Sequence, residues 1–304
     1  MDRRTLLKAG LGALAGGVLL PRRSEAQAIG IVRLSDRMTL VTSGGTNVLV
    51  FSSPDGLVLV DSGAPESSDA LMQALGRIAN GARIATVFNT HYHLDHTGAN
   101  GRLRAAGAEI VAHVNTRLWM STPVWVPADD RYRAPRPADA LPTKTFYTTE
   151  SMTAGGEHIE CGHLIEAHTS GDIYVFFRDA NVLAAGDVAS PLRDPALDWL
   201  TGAWLGGRVD AMTRLVAMSD DRTQIVPGTG PVMTRAQLAA ERDVLKTIYD
   251  RAVDRIRQGD DAGDMLEAGV LKDLPRTWSE PRTFLYDVQK GLWAHHNKLH
   301  PNVV

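Results

Sequence analysis

The run Thr90-His91-Tyr92-His93-Leu94-Asp95-His96 places three imidazoles and a carboxylate within six positions, directly after the apolar stretch Ile84 to Phe88. That is metal chemistry at the end of a strand. Alternation along an extended segment puts His91 and His93 on one side, while Asp95 and His96 follow the chain as it turns away. One short loop therefore suffices to ligate two neighbouring ions. Surface or core histidines do not gather into such a set without a purpose.

Around this loop the chain alternates strands and helices. Met38 to Val41, Asn47 to Phe51 and Leu57 to Asp61 read as strands, the last two joined by the turn Ser53-Pro54-Asp55-Gly56. Ser67 or Ser68 is placed to cap a helix with Leu71, Met72, Leu75 and Ile78 at helical spacing, closed by Asn80-Gly81. A strand near Glu109 to Ala112, a helix from Asn115, strands over Glu157 to Ala167, Ile173 to Phe177 and Val182 to Ala185, and a long helix capped by Thr234 and stopped by Gly259 follow. Asp260 to Asp264 reads as a polar link to a helical tail. Leu118 to Pro142 reads as irregular; it and the aromatic stretch Asp198 to Gly207 are candidates to rim a substrate pocket, and each tryptophan in them is equally suited to packing onto the core. Periodicity alone gives an α/β fold with room for two sheets.

His-x-His-x-Asp-His over His91 to His96 resembles the signature of the metallo-β-lactamase superfamily. Ala167-His168-Thr169-Ser170-Gly171-Asp172 is similar to its next ligand motif, Ala185-Gly186-Asp187 to its bridging-aspartate motif, and Val226-Pro227-Gly228-Thr229-Gly230-Pro231 to its last. The likeness covers about residues 30 to 235. It implies a four-layer αββα sandwich over residues 29–235, with residues 236–304 a helical extension of the same domain. It also implies an enzyme: a zinc-dependent hydrolase whose metal-bound hydroxide attacks an ester, thioester, lactone or lactam-like small molecule. The bridging Asp187 and the stretch after it resemble glyoxalase-II-like and exported quinoprotein-relay-type branches more than dedicated lactamases.

In that frame His91, His93 and His168 hold one zinc with an open fourth position. Asp95, His96 and Asp187 hold a second, and Asp95 doubles as the catalytic group that orients the nucleophile or passes its proton on. Asp61 would steady the ligand loop from outside. The chain departs from the pattern at Thr229, where the family usually has His. A hydroxyl is a weaker zinc ligand than imidazole, so the second site is expected to be weak. This leaves two alternatives: a mononuclear iron dioxygenase acting on a sulfur compound through His91, His168 and Asp187, and a non-catalytic binding protein on the same scaffold.

The N-terminus differs in kind. Arg3-Arg4 leads into an apolar run from Ala9 to Leu20 and then Ala26-Gln27-Ala28, which reads as a twin-arginine signal peptide over residues 1–28 and a periplasmic address. The run is too short to span a bilayer, so no stable membrane insertion is expected after cleavage. Removing it leaves 27 basic and 33 acidic residues, taking the formal charge from -3 to -6. Such a protein suits a small-molecule substrate and not nucleic acid. Cys161 is the sole cysteine, so no internal disulfide is available, and it reads as a small buried apolar residue. His113 and His163 read as structural histidines, and His295, His296 and His300 as solvated ones at a helix end.

Overall fold

Side chains alternate in direction along a strand, and here the central strands of two sheets are buried on both faces, which calls for four layers. The computed structural model describes residues 29–126 and 130–296; the twin-arginine leader and His300 lie outside them. The first sheet holds, in spatial order, β1 (Gly30–Arg33), β2 (Met38–Ser43), β3 (Thr46–Ser53), β4 (Gly56–Val60), β5 (Ile84–Phe88), β6 (Glu109–His113) and β9 (Lys144–Phe146). Its first four strands are antiparallel and the rest join in parallel. A hairpin of β7 (Val124–Val126) and β8 (Arg131–Arg133) stands apart. The second sheet runs β10 (Thr149–Ala154), β11 (Glu157–His163), β12 (Ile173–Phe177), β13 (Val182–Gly186) and β14 (Gln224–Pro227), antiparallel except for its last pair.

The period of two sorts the core. Leu49 and Phe51 of β3 face inward, with Val58 and Val60, onto Ile159, Val175, Phe177 and Ala184 of the second sheet. Val48 and Val50, one residue out of phase, face outward with Leu57 and Leu59 onto α1 (Ser68–Ala79), beyond which α2 (Leu94–Thr97) carries part of the ligand loop and α3 (Asn100–Ala105) adds Leu103. After α4 (Val114–Ser121), the remaining helices α5 (Leu205–Met218), α6 (Arg235–Arg257), α7 (Ala262–Glu267) and α8 (Pro281–Ala294) cover the far face of the second sheet. There Tyr174, Phe176, Leu183 and Ile225 meet Leu215, Leu238, Leu245, Met265, Phe284 and Leu292. The order is αββα, and the C-terminal helices are packed into its last layer. Among the described residues no helix is long and apolar enough to cross a membrane.

Several local expectations are corrected. Ser67 occupies the N-cap of α1 but makes no side-chain cap bond, because a 3-10 turn at Pro65–Ser67 leads into the helix instead. The closure at Asn80 is as expected, with a left-handed backbone at φ 45°. Asp260 to Asp264 is no simple link: Asp261 and Asp264 form a capping box that starts α7. The strand expected over Glu157 to Ala167 stops at His163, and Leu118 to Pro142 contains the hairpin. His295 is buried and stacks on Trp204 with planes 10° apart. Cys161 is buried, and burial pushes its thiol up to about 12.

Phe51 and Phe177 meet across the two sheets with ring centroids 5.4 Å apart. Phe177→Ala should lower unfolding free energy by about 3–5 kcal/mol in urea or guanidinium titrations. Ile31→Ala, at an exposed position, should change it by less than about 0.5 kcal/mol.

Candidate metal centre

Strands β4 and β5 are parallel neighbours, so their C-terminal ends reach the same edge, where the Asp61 amide donates to Phe88 O at 2.7 Å. The ends of β13 and β14 reach the matching edge of the second sheet, and the loop between β11 and β12 brings His168 there. Asn47 stitches the two edges: its amide donates to Gly228 O at 2.8 Å and its side chain to Pro227 O and Gly230 O. Gly228 is required by close approach, since a Cβ there would lie 2.1 Å from Asp187 Oδ1.

Each of the four histidines has one ring nitrogen tied to an acceptor at the periphery. His96 Nδ1 donates to Asp61 Oδ2 at 3.1 Å, His168 Nδ1 to Ala196 O at 2.9 Å, and His93 Nε2 to Asp198 Oδ2 at 3.1 Å. Thr90 Oγ1 gives its only proton to Asp61 Oδ2 at 2.7 Å, so His91 Nδ1 must donate to Thr90 Oγ1 at 3.0 Å. Those bonds fix the tautomers. What remains is His91 Nε2, His93 Nδ1, His96 Nε2 and His168 Nε2, four lone pairs turned inward.

The inward atoms form two groups of three that share His91: His91, His93 and His168, and His91, His96 and Asp187, each with its donor atoms within 4.8 Å of one another. His91 Nε2 and His96 Nε2 are buried without a hydrogen-bond partner, and His168 Nε2 lies 3.0 Å from His93 Nδ1, lone pair toward lone pair. Buried acceptors left in that state are unfavourable unless a cation sits among them. The residues fit a metal ion by number, type and orientation.

The expected residues divide as follows. His91, His93 and His168 come together as one group. His91 also joins His96 and Asp187, which the sequence had grouped with Asp95. Asp95 lies on the first turn of α2 with its carboxylate half-exposed, 3.7 Å from His96 Nε2 and outside both groups of three. Asp61 has a left-handed backbone at φ 64° and is buried, accepting from Thr90 N and Thr90 Oγ1 as well as from His96. Thr229 lines the same cleft as His168 and Asp187, its hydroxyl shielded and without a hydrogen-bond partner.

Charge follows this geometry. Without a metal, burial opposes a charged His96, but Asp187 and Asp61 on either side outweigh it and hold the imidazole well above its ordinary pKa, so a metal ion at His96 Nε2 would have to displace that proton. Burial and the neighbouring His96, His168 and His93 push His91 well below its own.

Asp198, whose side chain received no role in the sequence reading, holds His93 and also accepts from Tyr92 OH at 2.5 Å. Burial raises its carboxyl, yet the His93 and Tyr92 bonds keep it below the usual range. No spacing signal marks it, because it reaches His93 from 105 residues away. Asp172 was legible as part of a motif but not in role: it accepts from the amides of His168 and Thr169 and so shapes the loop that presents His168. Trp119, from the first aromatic stretch, donates to Ser170 Oγ in that same loop.

The metallo-beta-lactamase superfamily model matches residues 41–256, a span that includes every residue of this centre. The chain belongs to the metallo-beta-lactamase superfamily. It is 24% identical over 260 residues to the 2,4-dinitroanisole O-demethylase subunit alpha of Nocardioides sp., covering 83% of this chain and 73% of that one. Among solved structures, a metallo-beta-lactamase from Pontibacter korlensis superposes with TM-score 0.60 at 20% identity, covering 72% of this chain and 99% of that one. The stereoselective inverting sec-alkylsulfatase Pisa1 from Pseudomonas sp. gives TM-score 0.64 at 15% identity over 91% of this chain, which spans about half (52%) of the sulfatase. These structural likenesses establish the shared fold.

Two predictions follow from the outer bonds. Asn tolerates the left-handed backbone at position 61 but offers an amide where the superfamily loop here needs an acceptor. Asp61→Asn should therefore weaken metal affinity by about 10- to 100-fold in chelator competition. His113 and His163 stack 3.7 Å apart beside the His168 loop, bonded to Tyr147 O and Ser170 O. Burial lowers both pKa values, and the His163 ring adds to the fall in His113, to about 4. The unfolded chain binds protons more readily, so the stability from this pair is complete above about pH 6.5 and is lost as pH falls toward 4. The melting temperature of His113→Gln, measured from pH 8 to 4, should fall less steeply over that window than the parent's.

Proposed function

We propose that the protein is an exported, metal-dependent hydrolase of small ester, thioester, lactone or lactam-like substrates. The observation that carries this reading is the convergence of four imidazole lone pairs and the Asp187 carboxylate, with every outward ring nitrogen already bonded. A divalent ion held there would polarise a substrate oxygen and acidify water. Asp95, half-exposed beside His96, is placed to accept the proton of the attacking water and to return it to the leaving group as the acyl bond breaks. Tyr92 and Asp198 keep His93 from turning away, and Asp61 does the same for His96 and, through Thr90, for His91.

An iron dioxygenase acting on a sulfur compound would need only two imidazoles and one carboxylate. Here Asp61 also holds His96 into the centre, which favours the hydrolytic reading with two neighbouring ion positions. Thr229 offers that second position a hydroxyl, so the His91, His93 and His168 group should fill first with zinc. The O-demethylase and alkylsulfatase among its relatives keep ethers and sulfate esters among the classes to assay. The leader over residues 1–28 supports a periplasmic address.

The test is metal analysis combined with a substrate panel. One tightly held zinc per chain and release of acid from ester or thioester are expected. Asp95→Asn should lower kcat by about 10²- to 10⁴-fold while the tightly held zinc is retained. Retained iron with oxygen uptake on a persulfide, and no hydrolysis, would contradict the hydrolase reading.

A further inference from the structure

Among the described residues Arg208, on α5 between Gly207 and Val209, is one of the largest fully buried side chains. Burying a guanidinium is costly unless its donors are met, so its partners show what holds it there. One terminal nitrogen donates to Asp187 O at 2.6 Å and to Ser190 Oγ at 2.7 Å, the other to Ala196 O at 2.8 Å. Both carbonyls belong to the metal centre. Asp187 supplies its carboxylate, and Ala196 O is the acceptor that fixes the His168 tautomer. The planar fork thus spans the two ends of the loop between Asp187 and Ala196.

The other side of this loop is held from α6 and from the segment between α7 and α8. Glu241 of α6, itself buried, accepts from Ser190 N at 2.9 Å and lies 3.7 Å from the Arg276 guanidinium. Arg276 donates to Ser190 O at 2.7 Å and to Arg193 O. The carboxylates of Glu241, Asp187 and Asp172 are the counter-charges around Arg208.

We propose that Arg208 is a positioning residue for the metal centre: its guanidinium sets the spacing between the Asp187 and His168 ligands, and Glu241 and Arg276 anchor that spacing to α6 and to the segment between α7 and α8. Lys in its place keeps the charge but has no fork to bridge two carbonyls. The proposal rests on the metal-centre reading above, and the experiment separates the two.

Zinc affinity of the full chain is measured by competition with a chromophoric chelator for the parent, Arg208→Lys, Glu241→Gln and Ser190→Ala. The metal-free melting temperature and the cobalt absorption spectrum of each accompany it. Arg208→Lys should weaken zinc binding by about 10-fold or more and alter the cobalt bands. Glu241→Gln and Ser190→Ala should shift affinity in the same direction by a smaller factor, about threefold. A residue that only supports the fold would lower the metal-free melting temperature and leave affinity and spectrum alone. Affinity within twofold of the parent in all three variants overturns the proposal. If Arg208→Lys does not fold, the other two decide it by the same criterion. A parent chain that holds no zinc overturns this proposal and the hydrolase reading together.

Discussion

Four imidazoles sharing one small volume repel unless each is turned the right way, and the rest of this structure depends on how they are turned. Asp61 does the largest share. Its single carboxylate accepts from Thr90 N, Thr90 Oγ1 and His96 Nδ1, so one residue at the end of β4 fixes two ligands on the loop after β5. The left-handed backbone at Asp61 turns the chain at that point, a conformation disfavoured for most residues and characteristic of functional sites. Asp198 and Ala196 O complete the outer ring from the second half of the chain.

The two sheets exist, in functional terms, to bring those halves together. The core between them, centred on Phe51 and Phe177, sets their separation, and Asn47 locks their edges where the ligands emerge. Gly228 then allows the last loop to touch Asp187 and His96 without a side chain in between. Close packing transmits small errors, so a shift at this seam would reach the ligand geometry directly.

The alternation of strands and helices was legible because its signals are local, whereas the αββα order rested on the resemblance carried by the His91 to His96, His168 and Asp187 motifs. His91 to His96 sits on six consecutive residues, and strands β3, β4, β5, β12 and β13 follow a clear apolar pattern. What stayed hidden acts at long range. Asp198 reaches His93, and Arg208 reaches Asp187 O and Ala196 O, through contacts that no spacing announces. Asp260 and Asp261 resemble a charged linker in sequence, yet Asp261 and Asp264 form the reciprocal cap that starts α7. Asp95, half-exposed on the first turn of α2, keeps its carboxylate 3.7 Å from His96 Nε2, beside the two groups of three rather than within them.

A metal centre built from the inward nitrogens should fill first at His91, His93 and His168. X-ray absorption at the zinc edge, on protein loaded with one equivalent, tests it most directly. Three imidazole nitrogens at about 2.0–2.1 Å are expected, with that shell lost in His93→Ala. A shell made only of oxygen, or one unchanged in His93→Ala, would contradict the account.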